Sequence, residues 1–232
     1  ALGEDDIYLR DNNGVKRFQP STGKVTLIEG TEGARKNTMV VADGKVFATV
    51  GTSVVVIEAG KDEIANTIEF EDRVSGVIKA SDGNILVSDG SGNITKVDVK
   101  TYTKLGSSKV SDEAKSVLSA SFAAAPSITA KGDTLYMSGL SSKIYRHVFG
   151  SDKTELMVDA KDMVDNVGII YNTCAVHPIT GEVYLNSIKG YSDYKTNNIT
   201  VFDFSGDEPK VSVNYENYTA FPAGTFFTYN FE

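Results

Sequence analysis

The stretch TMVVADGKVFATVGTSVVVIEAGKDEIANTIEF, residues 38–70, contains four short apolar segments separated by turn-forming residues. The segments cover 39–41, 45–49, 54–58 and 67–70, and a glycine lies in each of the three intervals between them. Glycine and its aspartate and asparagine neighbours supply the positive φ angles of tight hairpins. The pattern predicts four antiparallel strands that follow one another in chain order and form one small sheet.

This unit recurs along the whole chain. Its second strand is repeated five times, and the spacings between equivalent positions are 39, 39, 50 and 48 residues for Ile7, Val46, Ile85, Leu135 and Val183. Periods of 40–50 residues that contain only strand patterns are typical of propeller blades. A short helix is predicted only over 111–118, where Ser111 caps it between the third and fourth units.

The two ends of the chain complement each other. The first unit begins directly at its second strand, whereas 223–230 reads as one strand left over after the fifth unit. Pairing of this strand beside Ile7 would close a ring and hide the edge strands. We therefore predict an all-β fold, a five-bladed β-propeller of four-stranded antiparallel blades in a single domain over 1–232. The predicted blades are 6–29 with 223–230, 37–70, 75–109, 126–159 and 172–215.

Composition narrows the classes of partner. The 232 residues carry a net charge of −8, which disfavours binding to nucleic acid or to an acidic membrane surface. No apolar run approaches the roughly 18 residues of a membrane span.

Cys174, the only cysteine, lies in an apolar stretch and is predicted to be buried. The chain starts at Ala1 without methionine, which is consistent with a processed N-terminus.

Two of the units resemble a known repeat. Residues 44–49 followed by 53–58, and residues 83–98, are similar to the YVTN-type propeller repeat. The stretches 172–184 and 221–224 resemble surface-layer-like propeller lipoproteins of gut Bacteroidetes. The resemblance implies an exported binding protein in the periplasm or at the outer-membrane surface. Relatives of this kind include propellers that capture vitamin B12 at the cell surface.

The sequence offers few groups for catalysis. The only histidines, His147 and His177, have no recognisable metal or triad partner, and both are predicted to be structural. The segments 89–93 and 11–14 are interpreted as tight turns, because a calcium loop needs a later bidentate acid that neither has. Five-bladed glycosidases need paired carboxylates on innermost strands. The predicted innermost strands contain no Asp or Glu over 38–41, 76–78, 127–129, 173–176 and 225–227.

Three insertions lie on the face where second strands turn into third strands and where each innermost strand begins. They cover 110–126, 158–172 and 188–198. Loops at the channel mouth of a propeller commonly bind ligands. Tyrosines on this face could stack on a ring of the ligand, and charged or amide side chains could orient its polar groups. The residues predicted to bind the ligand are Lys36, Arg73, Tyr171, Asn172, Tyr191, Asp193 and Tyr194.

These observations predict a monomeric, non-enzymatic, exported propeller without cofactor or metal. Its predicted partner on the loop-rich face is a small molecule, a glycan or a cell-surface protein. Two alternatives stay open at this point: a five-bladed glycoside hydrolase or lyase-like enzyme, and a protein-interaction scaffold. A carboxylate pair at the channel mouth would favour the enzyme, and a flat apolar face without a pocket would favour the scaffold.

Overall fold

Five antiparallel sheets follow one another along the chain, and each strand pairs with its neighbours in sequence. The computed structural model describes residues 5–119, 127–139, 141–170 and 174–227. The sheets are arranged as blades in a ring, so the fold is a five-bladed β-propeller. The predicted fold class is confirmed.

Blades one and two contain the first seven strands of the chain. Blade one contains β1 (Ile7–Asp11), β2 (Gly14–Gln19) and β3 (Lys24–Leu27). Blade two contains β4 (Ala34–Ala42), β5 (Lys45–Val50), β6 (Ser53–Glu58) and β7 (Asn66–Glu69). In blade two the innermost strand is β4 and the outermost is β7.

The remaining blades repeat the four-stranded plan. Blade three contains β8 (Val74–Lys79), β9 (Ile85–Asp89), β10 (Asn93–Val97) and β11 (Lys104–Lys109). Blade four contains β12 (Ser127–Lys131), β13 (Thr134–Ser138), β14 (Lys143–Val148) and β15 (Thr154–Asp159). Blade five contains β16 (Ala175–Val176), β17 (Val183–Gly190), β18 (Asp193–Asp203) and β19 (Lys210–Glu216).

Blade one has three strands in the described residues. The strand predicted to complete it covers 223–230, and 228–230 lie outside the described part of the chain. Residues 223–227 are described and belong to no strand. This segment contacts blade five, where Thr225 Oγ1 donates to Asn186 Oδ1 at 3.3 Å.

The blades form because turn residues alternate with β-branched runs. In blade two, Asp43 and Gly44 have φ angles of 48° and 68°, the conformation of a two-residue hairpin turn. The turn sets the register in which Ala42 pairs with Lys45 and Val41 with Val46. Alternate residues of the following strand then point to the two neighbouring blades.

The core lies between the blades. In the described residues, apolar clusters join blades one and two, two and three, three and four, and four and five. Phe47 and Val54 of blade two pack toward Val77 of blade three, while Val46 and Val55 face blade one. Cys174 is buried in the cluster between blades four and five, as predicted.

A polar residue occupies the same place in the second strand of every blade. It lies three positions after Ile7 and its four equivalents, and the set is Arg10, Thr49, Ser88, Ser138 and Asn186. Each of these side chains takes part in a hydrogen bond, and we call the set the polar collar. Two of its bonds cross between blades: Arg10 Nη1 donates to Thr38 Oγ1 at 2.6 Å, and the Cys174 amide donates to Ser138 Oγ at 2.9 Å.

The short helix α1 (Asp112–Ser119) connects blades three and four. Ser111 Oγ accepts a hydrogen bond from the Ala114 amide at 3.4 Å, the contact of an N-cap residue. Ala114, Val117 and Leu118 are buried against β9 and β13. The predicted helix and its cap are confirmed, one residue further along the chain.

His147 of β14 also joins two blades. It is buried; its Nε2 hydrogen-bonds Ser108 Oγ of blade three, and its Nδ1 lies 3.1 Å from Thr154 Oγ1. Burial lowers the pKa of His147 below its usual range. The neutral ring is therefore the form that suits the folded protein.

Stability should fall as the pH drops below about 6.5, where histidine in the unfolded chain takes up its proton. Because the pKa of His147 is lower in the folded state, the unfolded state binds more protons in this range. Proton binding therefore stabilises the unfolded state relative to the folded state. Urea denaturation at pH 7.5 and pH 5.5 would measure the loss. The His147→Gln variant should lose less stability than the wild type between these values. Equal losses in the two proteins would contradict the prediction.

Candidate functional site

The candidate site is built on an extended hairpin of blade five. In blade two the β5–β6 turn follows Val50, four residues after Val46, but in blade five the turn follows Gly190, seven residues after Val183. Three extra residues in β17 lengthen the hairpin by about 10 Å. β18 has five extra residues, because the register shifts between Ile188 and Gly190. Residues 187–196, here called the blade-five hairpin, therefore extend above the face on which second strands turn into third strands, the upper face. The insertion predicted at 188–198 is thus a continuation of two strands rather than a loop.

A buried amide fixes this hairpin to the segment after blade five. Asn197 Nδ2 donates to the carbonyl oxygens of Tyr194, Lys195 and Thr219 at 3.2, 2.9 and 2.8 Å. Asn197 is only 1% exposed. Its backbone amide also donates to Asn217 Oδ1 at 3.0 Å, and its carbonyl accepts from the Asn217 amide. One side chain thus orients both the hairpin and residues 217–219.

The next residue connects the hairpin to the loop that leaves blade four. Asn198 Nδ2 donates to the Asp165 carbonyl at 3.0 Å, and Asn198 Oδ1 accepts from Asn214 Nδ2 at 3.0 Å. Thr200 Oγ1 completes the network by donating to Asn214 Oδ1 at 2.7 Å. Because these polar groups satisfy one another, they can be buried without a large desolvation cost.

A backbone bridge supports the other side of the hairpin. Ile169 and Ile188 exchange amide-to-carbonyl hydrogen bonds of 2.8 and 2.9 Å. Gly168 lies so close to the hairpin that a Cβ atom there would be 2.0 Å from the Lys189 carbonyl oxygen. Only glycine permits this approach, so the loop and the hairpin form one continuous wall.

The tip of the wall exposes two aromatic rings and a carboxylate. Tyr191 is 62% exposed and Tyr194 is 41% exposed. The Tyr194 ring lies 6.1 Å from that of Phe221, which supports it from the side. Asp193 accepts a hydrogen bond from Thr196 at 2.9 Å and pairs with Lys189 at 3.3 Å, and these contacts lower its pKa. The tip can therefore stack on a ring and accept hydrogen bonds from it.

A hollow of about 230 Å³ lies at the foot of the wall. It is open to solvent and is bordered by Lys161, by Lys189 of the hairpin and by the loop residues 164–168. The lining residues include Lys161, Asp165, Asn166, Val167, Gly168 and Lys189. Its size is suited to part of a small polar molecule rather than to a whole cofactor.

Comparison with known proteins places the chain in a family. A family model described as a domain of unknown function, DUF5074, matches residues 1–228. The chain belongs to the DUF5074 family. Among curated proteins, no sequence matches it.

Several solved structures resemble this DUF5074 chain. The hydrazine synthase of Kuenenia stuttgartiensis is 15% identical with a TM-score of 0.61, and the match covers 89% of this chain and 62% of that one. A quinonprotein alcohol dehydrogenase-like protein from Bacteroides thetaiotaomicron VPI-5482 is 14% identical with a TM-score of 0.59, covering 92% and 53%. The WD40 domain of Neurospora crassa Pan2 is 12% identical with a TM-score of 0.61, covering 91% and 63%.

These similarities show the fold alone, because the identities are so low. The DUF5074 chain also spans less than two thirds of each matched chain. In the described residues no helix is long and apolar enough to cross a membrane. The same part of the chain holds no cluster of three or more His, Cys, Asp or Glu side chains placed to bind a metal.

The predicted binding residues fall into separate places. Tyr191, Asp193 and Tyr194 lie together at the tip of the blade-five hairpin. Arg73 is exposed at the start of blade three, beside Asp72, and the described contacts do not join it to the hairpin. The side chain of Lys36 and the whole of Tyr171 and Asn172 lie outside the described residues.

Sequence reasoning missed the residues that position the hairpin. Asn197 and Asn198 read as surface loop residues, although they are 1% and 3% exposed. A signal was present in their neighbours, because the β-branched residues Ile199, Thr200 and Val201 are typical of a strand, and β18 extends that strand backwards through both asparagines. The sequence indicates Phe221, which supports Tyr194, only as part of the stretch 221–224 that resembles surface-layer-like propellers.

The turns and histidines have the roles that their sequence context predicts. Asp89 Oδ1 accepts the amides of Ser91 and Asn93 at 2.9 and 3.0 Å, and Asp11 Oδ1 accepts the amide of Asn13 at 2.8 Å. These are turns in which the aspartate side chain binds the backbone two residues on. His177 Nδ1 likewise accepts the Thr180 amide at 3.1 Å in a turn of blade five.

Replacing the buried Asn197 by alanine should destabilise the protein, because three backbone carbonyl groups lose their donor. The expected loss in the free energy of unfolding is about 1–3 kcal/mol. Urea denaturation would measure it as a lower midpoint with an unchanged slope. Asn12→Ala, in an exposed turn of blade one, is the matched control and should be close to neutral. A neutral Asn197→Ala variant would show that Asn197 does not hold the hairpin.

Proposed function

We propose that this protein is a non-enzymatic binding module that holds a small molecule, a glycan or a protein on its upper face. The observation that carries the proposal is the blade-five hairpin, where Tyr191 and Tyr194 are exposed on a wall fixed from within by Asn197. Of the three partners, a ligand with sugar-like or planar rings suits this tip best.

Rigid support of exposed aromatic rings favours binding over a purely structural role. Exposed tyrosines on a mobile loop would lose conformational entropy on binding a ligand, but rings held by a fixed backbone lose less. Tyr191 lies in the two-residue turn, and Tyr194 packs beside Phe221. The carboxylate of Asp193 between them offers an acceptor for hydroxyl groups of a sugar.

The innermost strands support binding rather than glycoside hydrolysis. A retaining or inverting glycosidase places two carboxyl groups about 5–10 Å apart on either side of the bond it cleaves. The innermost strands β4, β8, β12 and β16 contain no Asp or Glu. The polar collar likewise contains no carboxylate, and its Ser88 and Asn186 are already hydrogen-bonded to Ser75 and Thr225.

The proposed location is the periplasm or the outer-membrane surface. Its support is the similarity of 44–58 and 83–98 to YVTN-type repeats and of 172–184 to surface-layer-like propeller lipoproteins. A position outside the cytoplasm would bring the upper face into contact with environmental glycans and corrinoids. The acidic net charge of −8 is compatible with either kind of neutral ligand.

Thermal denaturation with a panel of neutral oligosaccharides, cyanocobalamin and nucleotides tests the proposal. A ligand at 100 times its dissociation constant stabilises the native state by about 2.7 kcal/mol. In a chain of this length the melting temperature should then rise by about 5–10 °C. No shift with any member of the panel would count against small-molecule and glycan binding.

Matched variants locate the site. The double variant Tyr191→Ala/Tyr194→Ala should abolish the shift, because it removes both rings from the tip. Leu105→Ala, on the outermost strand of blade three, changes a side chain of similar exposure and should leave the shift unchanged. A shift that survives the double variant would place the ligand elsewhere.

A further inference from the structure

Exposed tyrosines are concentrated on blade five and on the segment that follows it. Besides Tyr191 and Tyr194 at the tip of the hairpin, Tyr215 of β19 is 46% exposed and Tyr218 is 75% exposed. The other tyrosines in the described residues are buried or partly buried. Large groups of exposed apolar rings on a folded protein mark interaction sites.

These rings form two pairs with similar geometry. The Tyr194 and Phe221 rings lie 6.1 Å apart at an interplanar angle of 57°, and the Tyr215 and Tyr218 rings lie 5.8 Å apart at 53°. In a parallel stack each ring covers one face of the other. At these angles the rings support each other and still leave ring faces open to a ligand.

Hydrogen bonds hold the segment that supplies one ring to each pair. Asn217 follows the end of β19 with a φ angle of 53°, a left-handed conformation that asparagine adopts more readily than most residues. Its amide donates to the Asn197 carbonyl at 2.8 Å, and Asn197 Nδ2 donates to the Thr219 carbonyl at 2.8 Å. The backbone is thus fixed on both sides of Tyr218.

The two pairs are close enough for a single extended ligand. Tyr218 and Phe221 are three residues apart, so their Cα atoms are separated by at most about 11 Å. Tyr191 adds a fifth ring in the turn of the hairpin. We call the five rings of Tyr191, Tyr194, Tyr215, Tyr218 and Phe221 the aromatic patch.

Two polar atoms beside the aromatic patch have no partner in the described part of the chain. They are Asn197 Oδ1 and Thr219 Oγ1, and both are shielded from solvent. Asn197 Oδ1 requires a donor, whereas the Thr219 hydroxyl can both donate and accept. Because Thr219 as a whole is only half-buried, rotation about its χ1 angle can bring the hydroxyl to the surface. These atoms favour a partner rich in hydroxyl groups over a purely apolar one.

The charges around the aromatic patch balance one another. Asp193 pairs with Lys189 at 3.3 Å. The remaining charged residues next to the rings in sequence are Lys195 and Glu216, one of each sign and both exposed. A neutral ligand therefore matches this surface better than a strongly charged one.

We propose that the ligand of this surface is a neutral, linear oligosaccharide that lies across both ring pairs, which rests on the binding function proposed above. A sugar ring offers C–H groups on its face for stacking and hydroxyl groups at its edge for hydrogen bonds. One sugar stacks on Tyr194 and Phe221, and another stacks on Tyr215 and Tyr218. A hydroxyl group of the chain between them supplies the hydrogen bond that Thr219 Oγ1 lacks.

The dependence of affinity on chain length tests this proposal. Isothermal titration calorimetry would compare cellohexaose, xylohexaose and mannohexaose with cellobiose, xylobiose and mannobiose. At least one hexasaccharide should bind about tenfold more tightly than its disaccharide, because the second ring pair captures a sugar that the first pair already holds nearby.

Matched variants separate the two ring pairs. In the Tyr215→Ala/Tyr218→Ala variant the hexasaccharide should lose about tenfold in affinity and bind like the disaccharide, whose own affinity changes little. Phe226→Ala removes a ring that is 86% exposed but lies outside the aromatic patch, and it should bind like the wild type. All three side chains are exposed, so the variants should fold, and an unchanged urea midpoint would verify this.

A third variant tests the polar centre. Thr219→Val keeps the shape of the side chain and removes the hydroxyl, so hexasaccharide affinity should fall several-fold. Unchanged affinity would overturn the placement of the chain across Thr219.

The outcomes distinguish this proposal from the binding function on which it rests. Equal affinity for hexasaccharide and disaccharide, lost in Tyr191→Ala/Tyr194→Ala but kept in Tyr215→Ala/Tyr218→Ala, would overturn the linear chain and leave the binding function intact. Binding of cyanocobalamin without binding of any sugar would do the same. A dimer that Tyr215→Ala/Tyr218→Ala abolishes, with no sugar bound, would show that the aromatic patch joins two copies and would also overturn the proposal. Failure to bind any sugar, cyanocobalamin or nucleotide would count against both proposals.

Discussion

Packing between blades is the interaction on which this molecule depends. A blade of three or four short strands has two apolar faces and cannot bury either one within itself. Phe47 and Val46 are adjacent in β5, yet one belongs to the cluster with blade three and the other to the cluster with blade one. Each blade is therefore stabilised only by its neighbours.

This arrangement determines where the chain is free to vary. The sheet faces are occupied by neighbouring blades, and insertions can be accommodated mainly in the connections at the two ends of the channel. Blade five uses that freedom by lengthening a hairpin instead of adding an irregular loop. The added residues remain hydrogen-bonded strand, and Asn197 and Asn198 replace the apolar contacts that the projecting part lacks.

Much of the fold could be predicted because its determinants are local. Alternation of apolar residues, the Asp43-Gly44 turn and the Ser111 cap are all readable from a few adjacent residues. The sequence places Tyr191, Asp193 and Tyr194 in one insertion, and the structure brings them together on one hairpin, which is strand rather than the predicted loop. Their role in binding stays a prediction. The support of the hairpin depends on Asp165, Asn214 and Thr219, which are distant in sequence and come together only through the fold.

The polar collar has a consequence for how the blades recognise one another. The apolar faces are chemically similar and could pack in more than one order, but the collar residues differ from blade to blade. Ser88 binds Ser75 within its own blade, whereas Arg10 and Ser138 bind the blade that follows. Duplication or exchange of a blade would leave such a group buried without its partner, which costs about 1–3 kcal/mol. The collar residues thus distinguish the blades from one another, and the order of the blades in the ring depends on these hydrogen bonds rather than on the apolar faces.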